Sequence, residues 1–430
     1  MMIIRRLMAV LAALMLLCSL AAAQSPEDVM ATVNGTPITR QAFEGYLNNL
    51  TAYYAYYGYD VTTPENADAL RYMALDTLVQ LTLMDQKIAE MGLVLTEDEL
   101  AAAEAEGRAL WVEDVGNALA RHGVTAYSTE AERAAAMVQV LAELETRGYT
   151  EESYIADAVS NALYIKLEAL MVAEAAVREG EVEALYADLV EADRARYADN
   201  AAEYESTLQL NAFALLYGVT EYYTDVWYIP EGYRNVVHIL LPVDGALLDS
   251  WGDLQATWEE QQNVLEEGGT ILGEVVTAAE VENAGFAALA TVQAQVDEIT
   301  GRIAAGESFT DLIPLYTADA EMDEPAEIAA GWQVHMDSVF CPIGYREAAF
   351  SLVNPGDVSA PFVSDEGVYL VCYVGDAEGG PVPLTQEVHE ALHAQLLQEA
   401  EAAQYQQTMD AWLAAAEIVY SDEAMAFMGS

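Results

Sequence analysis

The sequence predicts an α+β protein: a mainly helical domain carrying an inserted, smaller domain built on an antiparallel sheet flanked by helices. Three observations predict it. Between about residues 40 and 203, apolar residues recur at three and four positions with no Gly- or Pro-rich interruption. Arg234–Pro242 and Val368–Val374 are instead runs of β-branched, aliphatic and aromatic residues, the pattern of buried strands. A last long helical stretch, Thr385–Ala416, follows the second run.

The first 23 residues read as a secretory signal peptide. Arg5 and Arg6 precede apolar Leu7–Leu17, and Ala21-Ala22-Ala23 supply small residues before Gln24. The bulky Leu17 before Cys18 does not suit a lipid anchor, so a free chain from Gln24 is expected. No later stretch reaches the roughly 18 apolar residues that a spanning helix needs. Only Cys341 and Cys372 remain, which excludes a disulfide scaffold. The formal net charge is −55, and −57 once Arg5 and Arg6 leave with the leader. Nucleic acid is thereby excluded as a partner, because phosphate binding needs Lys and Arg. The charge serves solubility, or attracts basic unfolded chains.

From Ala31 the chain reads as strand, Asn34-Gly35 turn and strand, after which Thr39 caps a helix from Arg40 to about Tyr57. Helices follow over Asn66–Met91, from the capping box at Thr96-Glu97-Asp98-Glu99 to about His122, and over about Glu130–Arg147, Glu151–Arg178 and Glu181–Ala198. Tyr53, Tyr54, Tyr56, Tyr57 and Tyr59, and later Tyr222, Tyr223, Trp227 and Tyr228, are aromatic clusters that suit either semi-buried packing or contact with extended peptides. After the strand around His238, two acidic helices are expected at about Gly245–Glu267 and Ala278–Ala305, then a short helix capped by Ser308 and kinked at Pro314. Tyr345–Leu352 is helical, Asn354-Pro355-Gly356 turns, Val358–Val363 is extended, and Asp365-Glu366-Gly367 closes a hairpin with Val368–Val374.

Two segments carry a family resemblance. "VNGTPITRQAFEGYL" from Val33 resembles the opening of the SurA- and PrsA-type foldases. Tyr345, Ala348-Ala349-Phe350-Ser351-Leu352, Pro355-Gly356, Val358-Ser359, Pro361 and Gly367 resemble, in order and spacing, the second half of the parvulin-type peptidyl-prolyl isomerases. His238 in "HIL" resembles the histidine of the first parvulin strand, and "GESFTDLIPLYTAD" a further family segment. The resemblance implies a helical chaperone domain over 24–230 completed by 384–430, and a parvulin-like domain over 231–383 with a helical insertion at about 244–288. It implies catalytic positions at His238, Asp319 and Tyr369, and substrate-binding positions at Ala330, Cys341, Tyr345 and Phe350. Tyr369 stands where the family has its second histidine; it can still donate a hydrogen bond there but cannot be the matching imidazole. The implied activity is prolyl cis-trans isomerisation on unfolded, proline-containing exported polypeptides, with no cofactor. The alternative is a non-catalytic holdase with a degenerate parvulin domain. Alternation along the strand places His238 on one face with Val236 and Leu240.

A rival motif is His389-Glu390-Ala391-Leu392-His393, which fits the H-E-x-x-H of zinc peptidases. In a long Glu- and Ala-rich helix near the end of the sequence, with no substrate strand or metallopeptidase lobe around it, the preferred reading is two solvated or weakly paired histidines. His122 and His335 read as structural or exposed. The sequence leaves oligomeric state open.

Overall fold

The computed structural model describes residues 28–322 and 324–428, so the expected signal peptide lies outside the described residues. Two compact units divide the chain: residues up to Arg178 with those from His393 onward, and Glu179–Leu392.

The first unit opens with β1 (Val29–Val33) and β2 (Thr36–Thr39), paired antiparallel. Asn34 and Gly35 both take positive φ, 49° and 81°, as the tight hairpin turn requires. Helix α1 (Arg40–Tyr56) starts where the Thr39 hydroxyl accepts from the Ala42 N–H, as read from the sequence. Then come α2 (Pro64–Met91), α3 (Glu97–Arg121), α4 (Glu130–Thr146) and α5 (Glu151–Met171). The Thr96–Glu99 capping box forms in full. Helix α5 stops short of the expected Arg178. Its packed stripe of Tyr164, Leu167 and Met171 ends there, and the Ala- and Glu-rich remainder forms turns despite good helix propensity.

The second unit begins with α6 (Glu181–Tyr197) and α7 (Ala201–Tyr217). The sequence pattern lets the helical region fade near Glu203; α7 runs on because the Asn200 side chain caps it and Gly218, at φ 68°, ends it. Tyr197, Ala201 and Tyr204 form one apolar cluster with Tyr233. The unit boundary therefore falls at 178/179, whereas the sequence places a domain boundary at 230/231. Strands β3 (Tyr228–Ile229) and β4 (Arg234–Leu241) follow, then α8 (Gly245–Glu266), α9 (Ala278–Ala304), α10 (Phe309–Tyr316) and α11 (Pro325–Ala330). Ser308 precedes α10, but its hydroxyl bonds Thr310 at 2.7 Å and caps nothing. Next are β5 (Trp332–Val334), α12 (Tyr345–Ser351), β6 (Phe362–Val363), β7 (Val368–Asp376) and β8 (Gly380–Pro381).

The main sheet has the order β5-β4-β7-β6 and is antiparallel throughout. Its central strands are the two distant segments, with His238 opposite Val371 and Leu240 opposite Tyr369. Strand alternation splits the core in two. Val237, Ile239 and Leu241 pack with Val292, Val296 and Ile299 of α9 and Leu312 of α10. Val236 and Leu240 pack on the other face with Tyr345, Ala349 and Tyr369.

Helix α13 (Gln386–Ala415), β9 (Ile418–Tyr420) and α14 (Asp422–Met428) end the described chain. Met409 packs with Met84 and Leu167 in the first unit. Strand β9 pairs antiparallel with β1, Ala31 opposite Tyr420, giving a sheet of order β2-β1-β9. Phe427 joins Phe43 and Leu75 in the same core.

Candidate functional site

Position 238 follows from the alternation of β4: apolar neighbours fill one face and leave His238 on the other, 1% exposed. A buried imidazole needs partners for both nitrogens. Nε2 lies 2.7 Å from Asp319 Oδ2, and Nδ1 lies 2.8 Å from the Tyr345 hydroxyl. A carboxylate oxygen only accepts, so Nε2 carries the proton and Nδ1 accepts from the Tyr345 O–H. Burial lowers the His238 pKa below its ordinary value and outweighs the Asp319 carboxylate that raises it. The ring is therefore held neutral in one tautomer.

Asp319 is placed by the stretch after α10. Thr317 Oγ1 accepts from the Leu240 and Asp319 N–H groups, each at 3.2 Å, and the Ala318 N–H donates to the Leu240 carbonyl at 2.8 Å. The second Asp319 oxygen accepts from the Glu321 N–H. Tyr345 is placed by α12, which turns it and Ala349 onto the sheet. Burial holds the Tyr345 hydroxyl well above its ordinary pKa, so it remains a donor.

The face around His238 is aromatic. Tyr369, Trp332 and Tyr345 stand 5.0, 5.7 and 5.5 Å from the imidazole, centroid to centroid. Tyr369, expected as a hydrogen-bonding equivalent of the second histidine, contacts His238 through its ring. Its hydroxyl donates instead to Glu366, in the turn of its own hairpin. Burial raises its pKa, and the Glu366 bond adds to the effect.

Beside this cluster lies a groove of about 410 Å³, lined by Trp332, Gln333 and Val334 of β5, by Ser338, Phe340, Cys341 and Tyr345, and by residues of α7. Of the positions the sequence assigns to substrate binding, Cys341 and Tyr345 line it, while Ala330 and Phe350 are not among the lining residues. Ala330 ends α11 at the surface, and Gly331 takes the groove position instead. Phe350, five residues after Tyr345, sits about 140° round the helix; the Arg234 guanidinium lies over its ring at 4.6 Å. Burial raises the Cys341 thiol pKa, and its Sγ faces the Ser338 carbonyl. Sequence reasoning missed Trp332, Tyr233 and Glu205. The tryptophan directly after Gly331 was a usable signal; one glutamate among 71 acidic residues was not.

His389 Nε2 lies 3.7 Å from Glu183 Oε1, and His393 is exposed. Among the described residues no group of three His, Cys, Asp or Glu could hold a metal ion. No described helix is long and apolar enough to cross a membrane.

One comparison bears on the start of the chain. Residues 1–109 match the family model of the SurA-like N-terminal domain. The foldase resemblance read from Val33 onward is thereby supported, and within the described residues this SurA-like region takes in β1, β2, α1, α2 and the first half of α3. No curated protein matches the chain. Among solved structures, a chain from the work on PEB4 and Cj1289, two SurA-like chaperones of Campylobacter jejuni, is 11% identical with a TM-score of 0.28, covering 92% of this chain and 99% of its own. PrsA from Bacillus subtilis is 12% identical with a TM-score of 0.22, covering 94% and 98%. Likenesses at this level carry no weight for function.

Proposed function

We propose that the chain is an extracytoplasmic foldase for exported polypeptides, and that its second unit binds proline-containing segments and isomerises the Xaa-Pro bond. The observation that carries this is the fixed His238, bonded to Asp319 and Tyr345, beside an aromatic groove walled by Trp332, Cys341 and Tyr345. The SurA-like domain over residues 1–109 supports the chaperone part. The four-stranded antiparallel sheet with helices on its faces fits a parvulin-like unit.

Prolyl isomerisation needs no nucleophile. Its barrier is roughly 18–20 kcal/mol, from amide resonance lost as the bond twists. Apolar walls favour the twisted amide, whose carbonyl carries less charge than the planar one. Trp332, Phe340 and Tyr345 supply such walls, while the His238 bond fixes the Tyr345 ring.

A second reading, a holdase whose groove binds without turnover, is favoured by one observation. His238, Tyr345 and Tyr369 are each at most 1% exposed, and the Tyr369 hydroxyl points to Glu366 rather than to the imidazole. A protease-coupled cis-trans assay on Xaa-Pro peptides separates the two. An isomerase accelerates the slow phase and loses that acceleration in Trp332→Ala. Rates equal to buffer, with suppression of client aggregation intact, leave the holdase alone.

A further inference from the structure

The groove beside β5 has a second wall that comes from outside the sheet and its own loops. Helix α7 lines it through Tyr204, Glu205, Leu208 and Gln209. Glu205 is engaged at both oxygens. Oε1 accepts from the Tyr233 hydroxyl at 3.1 Å and from the Ser338 hydroxyl, and Oε2 accepts from the Val339 N–H at 3.0 Å. Both hydroxyl donors are buried, Tyr233 3% and Ser338 4% exposed. One carboxylate thus ties α7 to the loop that carries Phe340 and Cys341. Leu208 and Phe340 remain 42% and 48% exposed, large apolar side chains facing one opening.

The charge pattern of the lining narrows what enters. Glu205 is the only charged residue among the lining side chains, and none is a cation. Arg346 donates to the Ser338 carbonyl but is engaged by Glu347. The chain as a whole carries −55. An acidic side chain would therefore meet one sign of charge with no counter-ion, whereas an apolar, aromatic or basic one would meet aromatic faces and a carboxylate.

We propose that α7 is the second wall of the peptide groove, with Leu208 and Gln209 meeting the residue that flanks the bound proline and Glu205 holding the wall in place. This rests on the reading of the groove as a peptide site. The occupant is a proline-containing segment of an unfolded chain, with an apolar, aromatic or basic residue next to the proline.

Two measurements on the full-length protein test it. The first is alkylation of Cys341 by iodoacetamide, followed by mass spectrometry, with buried Cys372 as the internal reference. Glu205→Ala removes both tether and charge. Glu205→Gln removes the charge but keeps one acceptor oxygen, and with it the Tyr233 and Ser338 bonds or the Val339 bond. The comparison matters because Glu205 itself adds to the raised pKa of the Cys341 thiol. The wall predicts Cys341 reacting about five-fold faster or more in the Ala variant than in the Gln variant, with Cys372 unchanged. Equal Cys341 rates in the two variants overturn the tether. The second is anisotropy of fluorescein-labelled Ala-Xaa-Pro-Phe peptides. Wild type is expected to bind Xaa = Leu about tenfold or more over Xaa = Glu. Leu208→Arg should erase that preference, whereas Leu216→Arg, at a 77% exposed position on the same helix, should keep it. A preference unchanged in Leu208→Arg removes α7 from the contact. A wild type that binds no peptide defeats the proposed peptide site and the Leu208 contact together, and the alkylation ratio still decides whether α7 closes the groove.

Discussion

The Tyr345 hydroxyl donates to Nδ1 of His238 across 2.8 Å, although one residue starts a short helix and the other sits mid-strand, 107 positions apart. That single bond fixes the imidazole tautomer from one side while Asp319 fixes it from the other. Removing the hydroxyl alone, in Tyr345→Phe, keeps the ring and strands a buried acceptor. The expected cost is about 1–3 kcal/mol of stability. Urea unfolding of the two proteins measures it; equal midpoints would mean that the bond contributes nothing.

The same burial sets a pH dependence. Because the folded His238 pKa lies below the ordinary 6.5, the unfolded chain takes up the proton first as pH falls. The stability contributed by neutral His238 is complete above 6.5 and is lost as pH drops through the folded value. Protonation also turns Nδ1 into a donor facing the Tyr345 O–H. Melting temperatures of wild type and His238→Gln between pH 7.5 and 5 should therefore converge on acidification. Parallel curves would show that His238 does not titrate differently in the two states.

Much of the fold is legible in the amino-acid sequence, and for local reasons. Thr39 and Thr96 cap helices through bonds to residues three positions away, and Asn34-Gly35 turns within two residues, so a short window contains the whole cause. The side of His238 follows from strand alternation alone. What is illegible depends on distant partners. Strands β3, β6 and β8 are two residues long and exist only through pairing. Helix α7 carries apolar residues on several faces, from Leu208 and Leu210 to Phe213 and Leu216, which blurs its period. Tyr345 is legible as a groove wall, yet its hydroxyl partner is set by tertiary packing that no window shows.

Close packing in the first unit gives a third expectation. A Cβ added at Gly107 of α3 would lie 2.6 Å from Ile155 Cα and 2.7 Å from the Tyr154 carbonyl oxygen of α5. Alanine in a helix gains roughly 1 kcal/mol over glycine by propensity. Here the obstacle is backbone, which cannot rotate aside, and overpacking costs typically about 1–3 kcal/mol. Gly107→Ala should therefore lower the melting temperature, whereas Gly116→Ala on the same helix, with nothing within 4 Å, should raise it or leave it unchanged. A stabilised Gly107→Ala would mean that the two helices slide apart freely.

Arg234 supports the site from beneath. Its guanidinium lies 4.6 and 4.7 Å from the ring centroids of Phe350 and Tyr373 and donates to the Ala349 and Leu352 carbonyls at the end of α12. Lysine keeps the charge but not the planar fork. Arg234→Lys should cost about 1–2 kcal/mol and loosen α12, read as faster amide exchange at Leu352 and Val353. Unaltered exchange would show that the carbonyls need no cap.

Strand β9 sets the order in which the molecule can be finished. A ribosome delivers β1 and β2 long before β9, so Met30 and Val33 wait for Ile418 and Tyr420 while everything between is made. The second unit is one unbroken stretch, Glu179–Leu392, and needs no such wait. A chain halted before residue 418 would hold a finished middle and an open beginning, with apolar surface on offer to whatever escorts nascent protein.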